Sequence, residues 1–289
     1  MRKIKIWINK KFIDIDDAKI SIFDRGYLYG DGIFETMRSY AGVVFRIDEH
    51  LDRLFNGLKV MKIMPSYNKR YLKNIIYKSL KINGFKSAYI RLTITRGEGR
   101  FSLSYSDNFI PNVVIVTKEF GEYPDWMYFR GISAKVVEIR QNELSPVSAI
   151  KSTNYLNHIL ARLDAKDEGC DEAILMNTKG YIAEGAASNI FLVKRNNLTT
   201  PSLESGILPG ITRKLIIEIA GILKLKVKER RIYYRELLNA DEVFFTNSLI
   251  EILPVRKIDS ETIGDGEVGD ITRLLHISYQ KQVIREVLF

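Results

Sequence analysis

Three segments of this 289-residue chain carry residues that one chemistry would use together. Lys151 lies in the run Ile-Lys-Ser-Thr-Asn-Tyr-Leu, Glu184 lies in Tyr-Ile-Ala-Glu-Gly, and residues 206–213 read Gly-Ile-Leu-Pro-Gly-Ile-Thr-Arg. A lysine can form a Schiff base with a carbonyl cofactor, a carboxylate can keep a pyridine nitrogen protonated, and a helix N-terminus can bind a phosphate. Pyridoxal phosphate needs all three groups.

This order of segments resembles the class IV, fold type IV pyridoxal-phosphate enzymes, which comprise branched-chain aminotransferases, D-amino acid transaminases and 4-amino-4-deoxychorismate lyases. Residues 23–32, 50–54 and 247–254 also fit the family pattern, so the resemblance runs from the first predicted strand to the last predicted helix. It implies a two-domain fold that combines α+β and α/β parts, like that of D-amino acid aminotransferase. It also implies pyridoxal 5'-phosphate as the cofactor.

The resemblance implies a role for each matching residue. Lys151 would form the Schiff base and then move the proton of the substrate Cα, which requires a neutral amine. Glu184 would face the pyridine nitrogen, and Tyr155 would hydrogen-bond the phenolic oxygen of the cofactor. The cofactor phosphate would be bound by Arg53, by Ser248, and by the helix start at Ile211 and Thr212.

A substrate carboxylate needs a cation, and the chain offers several arginines near the matching segments. Arg96 and Arg100 are the favoured pair, because they lie in the glycine-rich run 95–100, which is expected to be a mobile loop that reaches an active site. Tyr29 is a further substrate-binding candidate from the matching segments. The other arginines considered for this role are Arg25, Arg38 and Arg91.

The chain departs from the branched-chain pattern at three places. Branched-chain enzymes commonly show Phe-Glu-Gly-Ile-Arg, Gly-Glu-Asn and Gly-Thr-Ala-Ala-Glu, where this chain differs at residues 34–38, 187–189 and 247–251. Its versions resemble aminodeoxychorismate lyases, in which a threonine matching Thr36 lies beside the reaction centre. We therefore favour a lyase that forms 4-aminobenzoate and pyruvate, with Thr36 as a second catalytic residue.

Two other functions remain open. A transaminase that acts on a branched-chain, D- or other amino acid with 2-oxoglutarate would begin with the same loss of the Cα proton, so the same residues serve it. A non-catalytic, basic binding protein that retains the fold is the third possibility. The presence of both Lys151 and Glu184 argues against it.

Composition narrows the classes of partner. The net charge of +9 raises the possibility of nucleic acid, but the basic residues are dispersed without an interleaved aromatic motif, which favours a solvated basic surface and no nucleic-acid partner. A lone Cys170 and three scattered histidines lack any zinc or haem spacing, so no metal is expected. No apolar run reaches membrane-spanning length, which predicts a cytoplasmic chain without a membrane partner. The family implies a homodimer.

Periodicity predicts the order of the elements. A hairpin at the start is followed by a helix near 48–62, for which Asp48 is a plausible N-cap, and by a second helix that ends at Gly84. Turn residues and charges between positions 120 and 128 predict a linker. We therefore expect a small α+β domain at 1–119 and a larger, cofactor-binding α/β domain at 129–289.

Overall fold

The computed structural model describes residues 4–99, 101–103 and 109–288. The chain forms two compact units. The first comprises the chain up to Gly121, the short segment Ile150–Asn154 and the chain end from Glu286, and the second comprises Glu122–Ala149 and Tyr155–Arg285.

Among the described residues, the first unit contains a six-stranded antiparallel sheet with the strand order β2-β1-β6-β5-β3-β4. Its strands are β1 (Lys5–Ile8), β2 (Lys11–Asp14), β3 (Gly32–Tyr40), β4 (Val43–Val44), β5 (Ala88–Thr95) and β6 (Asn112–Glu119). Its helices are α1 (Arg25–Tyr29), α2 (Ile47–Val60) and α3 (Lys69–Asn83).

The core of the first unit lies between its sheet and the helices α2 and α3. Along β5 the burial alternates strictly, because a half-buried strand points successive side chains to opposite faces. Ile90, Leu92 and Ile94 face the core and pack with Leu51 and Leu54 of α2. The opposite face of β5 carries aromatic, polar and charged side chains.

The segment Ile150–Asn154 lies beside β3 on the edge away from β5. Ser152 forms an antiparallel bridge with Ile33, the Phe34 N–H donates to the Lys151 carbonyl at 2.9 Å, and the Thr153 N–H donates to the Gly32 carbonyl at 2.9 Å. These backbone bonds position Lys151 in the first unit, although it lies far along the sequence from β3.

The second unit is built on a mixed sheet with the order β12-β11-β10-β13-β14-β7-β8-β9, to which β15 adds by pairing with β14. Its strands are β7 (Ile132–Gln141), β8 (Glu172–Asn177), β9 (Ile182–Gly185), β10 (Asn189–Lys194), β11 (Asn197–Pro201), β12 (Lys226–Arg230), β13 (Glu242–Asn247), β14 (Glu251–Ile258) and β15 (Glu261–Thr262). Its helices are α4 (Trp126–Phe129), α5 (Leu156–Asp167), α6 (Ile211–Ile222), α7 (Tyr234–Leu238) and α8 (Asp270–Leu288), whose last residues belong to the first unit.

The central strands β10 and β13 are buried along nearly their whole length, because both faces of the sheet are covered. Apolar residues of β7, β10, β13 and β14 form one core cluster, and α5 packs on β7 and β8 through Ala161 and Ala165. Within the described ranges, no helix is both long and apolar enough to span a membrane.

The structure differs from the predicted elements at several points. Arg46, with a positive φ of 54°, occupies the N-cap of α2, so Asp48 lies in the first turn and not at the cap as predicted. The predicted linker 120–128 contains the start of α4. The pattern of the sequence does not predict strand β3, because this strand is largely buried on both faces and lacks the alternation that marks a half-buried strand.

The predicted division at 119 and 129 is linear, whereas the structural units are not. Residues Ile150–Asn154 return to the first unit from the middle of the second, and the chain end returns from Glu286. A boundary drawn along the sequence cannot show such returns, because they depend on backbone pairing between distant segments.

Candidate functional site

Strand β3 carries polar or charged side chains on both of its faces. Thr36 lies opposite Arg91 of β5, and both side chains are only partly buried. Phe34 lies on the same face, two residues away, and its ring centroid is 3.8 Å from the Arg91 Cζ. This face therefore combines an aromatic ring, a hydroxyl and a guanidinium.

Lys151 joins this group from the edge of β3. Its Nζ lies 4.7 Å from the centroid of the Phe34 ring, a distance at which a cation and an aromatic ring attract each other. Phe34 is 4% exposed, so its ring is a fixed surface for the lysine. The first unit thus places an amine and a guanidinium against one buried ring.

The other face of β3 carries Glu35, which is fully buried and pairs with two residues of α2. Arg53 donates from Nε to Glu35 Oε1 at 2.8 Å and from Nη2 to Oε2 at 2.7 Å, and His50 Nδ1 lies 2.7 Å from Oε2. Burial raises the pKa of Glu35, but the charge and hydrogen bonds of Arg53 and the bond from His50 outweigh burial and lower that pKa to about 2. Glu35 is therefore a carboxylate at neutral pH.

Because an ionised carboxylate only accepts hydrogen bonds, His50 must carry its proton on Nδ1. Burial lowers the pKa of His50, Glu35 raises it, and the charges of Arg53 and Lys151 lower it further, with a net decrease. His50 is thus a neutral donor, and Arg53 is held by a two-point ion pair that restricts its side chain to one orientation.

In the structure the Arg96 side chain is hydrogen-bonded to other residues of the first unit. Its guanidinium donates to Asp31 at 2.7 and 3.0 Å, and to the carbonyls of Met61 at 2.8 Å and Lys62 at 3.1 Å. These four bonds involve all three of its nitrogens. Arg96 therefore joins the start of β3 to the end of α2, and its donors are committed to the protein itself.

The second favoured arginine, Arg100, lies outside the described residues. The residues before it form two backbone hydrogen bonds, from the Arg25 N–H to the Gly97 carbonyl at 2.9 Å and from the Gly99 N–H to the Phe23 carbonyl at 3.1 Å. A Cβ at Gly97, whose φ is +93°, would lie 1.9 Å from the Ile110 carbonyl oxygen.

The remaining candidates of the first unit are Arg25, Tyr29 and Arg38. Arg25 is buried, pairs with Asp31 at 3.0 Å and lies 4.9 Å from the Tyr29 ring centroid. Arg38 is buried against the Phe120 ring at 3.8 Å. Tyr29, at the end of α1, is 36% exposed and is the most accessible to solvent of the three.

In the second unit, Glu184 lies on β9 and is 4% exposed. Its Oε2 accepts from the Leu208 N–H at 3.1 Å and from Asn189 Nδ2 at 3.2 Å, while Oε1 accepts from Gln141 Nε2 at 3.4 Å. Three uncharged N–H donors stabilise a carboxylate and orient it. A buried carboxylate in such a setting suits a protonated ring nitrogen.

Ile211 and Thr212 are the first two residues of α6, and both are buried. The first N–H groups of an α-helix have no acceptor within the helix, and Gly210 at the N-cap provides no side chain to cap them. The helix dipole adds partial positive charge at the same place. This end of α6 fits a phosphate group.

Ser248 and Tyr155 occupy turns at the ends of elements. Ser248 lies between β13 and β14 in a turn held by Asn247, whose Oδ1 accepts from the N–H groups of Leu249 and Ile250 at 2.8 and 2.9 Å. Tyr155 is the N-cap residue of α5, and its ring stacks on His158 with centroids 4.6 Å apart. Both side chains are partly buried.

The sequence patterns do not identify the residues whose hydrogen bonds orient the candidate side chains. Glu35, His50, Gln141 and Asn189 were not singled out. A glutamate within the apolar strand that follows Gly32, and a histidine three residues before Arg53 on one helix face, were available signals for the first two. Nothing local marks Gln141, whose partners are distant in sequence.

Comparison with known proteins gives the family. The family model described as amino-transferase class IV matches residues 32–258. A putative branched-chain-amino-acid aminotransferase of Methanocaldococcus jannaschii is 40% identical over 94% of both chains, and the aminodeoxychorismate lyase of Bacillus subtilis is 35% identical over 96% of this chain and 94% of its own.

A solved structure of the same family has the same fold as this chain. The branched-chain amino acid aminotransferase of T.th., solved with pyridoxamine 5'-phosphate, superposes with a TM-score of 0.93 at 30% identity and covers 98% of this chain and 95% of its own. The fold type IV architecture expected from the sequence is confirmed. The chain belongs to the class IV aminotransferases, which are pyridoxal-phosphate-dependent enzymes.

Proposed function

We propose that this enzyme is an amino-acid transaminase in which Lys151 transfers the proton of the substrate Cα. The observation that carries the proposal is the placement of Lys151 and Arg91 against the Phe34 ring. An amino acid needs a base at Cα and a cation for its carboxylate, and an apolar ring beside them would pack against its side chain. Arg91 is therefore our proposed carboxylate ligand.

Other residues are proposed to hold pyridoxal phosphate, which when bound withdraws electrons from the substrate Cα. Glu184 keeps the ring nitrogen protonated, and Tyr155 donates to the phenolic oxygen. The α6 N-terminus at Ile211 and Thr212 binds the phosphate, with Arg53 and Ser248 as further ligands. The uncapped helix start and the buried, N–H-surrounded Glu184 both fit this group.

The sequence favours a lyase, whereas two findings support a transaminase. One relative, named as a putative branched-chain aminotransferase, is 40% identical to this chain, and a solved branched-chain aminotransferase that is 30% identical shares its fold with a TM-score of 0.93. Arg96, one of two arginines expected to bind the dianionic lyase substrate, is engaged by Asp31 and by backbone carbonyls. A lyase remains the second candidate, because Thr36 lies opposite Arg91 and a lyase relative is 35% identical.

Substrate panels distinguish the two activities. We expect purified enzyme, saturated with pyridoxal phosphate, to convert L-branched-chain amino acids plus 2-oxoglutarate to 2-oxo acids and glutamate, and to form little 4-aminobenzoate from aminodeoxychorismate. D-Amino acids in a parallel assay test the stereochemistry. Rapid formation of 4-aminobenzoate that falls with Thr36→Val, without turnover of any amino acid, would establish the lyase instead.

We also propose that two copies of the chain form a homodimer, as the family resemblance implies. Helix α5 exposes four large apolar residues at helical spacing, each 42–66% exposed: Leu156, Ile159, Leu160 and Leu163. Such an exposed apolar row is unusual on a surface helix and is typical of an interface. Ile159→Lys is expected to convert a dimer into monomers in light scattering, whereas the control Ile222→Lys on α6 leaves the mass unchanged. A dimer that persists in Ile159→Lys would place the interface elsewhere.

A cytoplasmic location stays a prediction from the sequence.

A further inference from the structure

Glu184 and the segment that precedes α6 share their hydrogen-bond partners. Asn189 Nδ2 donates both to Glu184 Oε2 at 3.2 Å and to the Leu208 carbonyl at 2.9 Å. Gln141 Nε2 donates both to Glu184 Oε1 at 3.4 Å and to the Gly206 carbonyl at 3.1 Å. The Leu208 N–H closes the network by donating to Glu184. The carboxylate and this segment are therefore connected by two side-chain amides and one direct bond.

The amide of Asn189 also determines which residue can stand at the start of α6. Gly210 has φ −69° and ψ 136°, a conformation open to any L-residue, so its backbone does not require glycine. A Cβ at this position would lie 1.9 Å from Asn189 Oδ1 and 3.1 Å from its Cγ. Glycine is needed here because Asn189 occupies the space of a side chain.

Asn189 is itself held firmly. It is 5% exposed and begins β10, where it pairs with Thr246 of the neighbouring strand β13. One side of its amide therefore contacts Glu184, the other side packs against Gly210, and its backbone belongs to the central sheet. Movement of either neighbour relative to the sheet would break a hydrogen bond or create a clash.

We propose that Asn189 is a positioning residue that sets the distance and direction between Glu184 and the N-terminus of α6, with Gln141 as its second support. The inference rests on the proposed function, in which these two groups address the ring nitrogen and the phosphate of one rigid cofactor. Binding groups at two ends of a rigid molecule are effective only when their spacing is fixed beforehand, because otherwise binding must also order them.

The first test compares two substitutions at this position by titrating apoenzyme with pyridoxal phosphate and recording the visible circular dichroism of the bound cofactor. Asn189→Asp keeps the shape but replaces the donor with a carboxylate oxygen beside Glu184, and we expect ~10- to 100-fold weaker binding and an altered dichroic band. Asn189→Ala should show the same direction of change. Asn83→Asp, at a buried asparagine of the first unit, serves as the control and should leave the band unchanged.

The second test uses the contact with Gly210. Gly210→Ala alone should weaken cofactor binding, because its methyl group displaces the Asn189 amide, whereas the same change made together with Asn189→Ala should add little. Equal losses in both backgrounds would overturn the proposal, as would unchanged affinity and dichroism in Asn189→Asp. A parent protein that takes up no pyridoxal phosphate would instead refute the proposed function, so the two failures are distinguishable.

Discussion

Lys151→Ala is expected to lower the turnover of amino acids by on the order of 10³-fold or more, because one residue supplies both the amine that joins the cofactor and the base at Cα. Cofactor binding should weaken but persist, since the proposed phosphate ligands remain. The measurement is single-turnover kinetics with an amino acid, combined with a titration of pyridoxal phosphate.

Lys151→Arg is the matched variant for this prediction. Arginine keeps a cation beside the Phe34 ring, but its guanidinium stays protonated and cannot act as a nucleophile or base. We expect it to be as inactive as Lys151→Ala. Borohydride reduction of the parent enzyme followed by peptide mapping should place the pyridoxyl group on Lys151, and a label on another lysine would refute the assignment.

Glu35→Gln is expected to destabilise the protein by about 3 kcal/mol, because it removes the charge that compensates Arg53 in a buried pair. Denaturant unfolding at neutral pH measures the loss. Glu49→Gln is the matched control, since Glu49 pairs with Arg46 in a more exposed setting and its removal should cost at most about 1 kcal/mol. Equal effects of the two changes would show that the Glu35 pair contributes no more than a surface ion pair.

The lowered pKa of Glu35 also predicts how the free energy of unfolding depends on pH. The pKa of Glu35 is lowered from 4.5 to about 2 in the folded protein, so its contribution is fully present above pH 4.5 and is lost as the pH falls towards 2. In the parent protein the free energy of unfolding should therefore decrease across this window. Glu35→Gln should show a smaller decrease there, and an unchanged profile would mean that other carboxylates control acid unfolding.

Cofactor retention should respond to Glu35→Gln as well. Arg53 has its direction set by two bonds to Glu35, and a neutral amide at position 35 accepts only at its single oxygen. We expect weaker binding of pyridoxal phosphate in this variant, measured on folded protein well below its unfolding temperature.

The sequence by itself determined the chemistry and the family, because both depend on residue type within short segments. A lysine before a helix, a glutamate at the end of a strand and a Gly-Ile-Thr helix start can be recognised without knowing what surrounds them. Most elements of the second unit are also predictable, since Gly169 lies just after the end of α5, Pro209 and Gly210 precede α6, and both helices repeat apolar positions at helical spacing.

Only the tertiary structure decided which groups support these residues. The return of Lys151 to β3, the pairing of Glu35 with Arg53 and the contact of Asn189 with Glu184 and Gly210 join segments whose separation in sequence gives no periodic signal. Arg96 shows the same limit, because its charge and glycine-rich surroundings favour substrate binding, whereas its bonds to Asp31 are visible only in the structure. Residue type determines what a side chain can do, whereas its partners across the fold determine which of those abilities remains available.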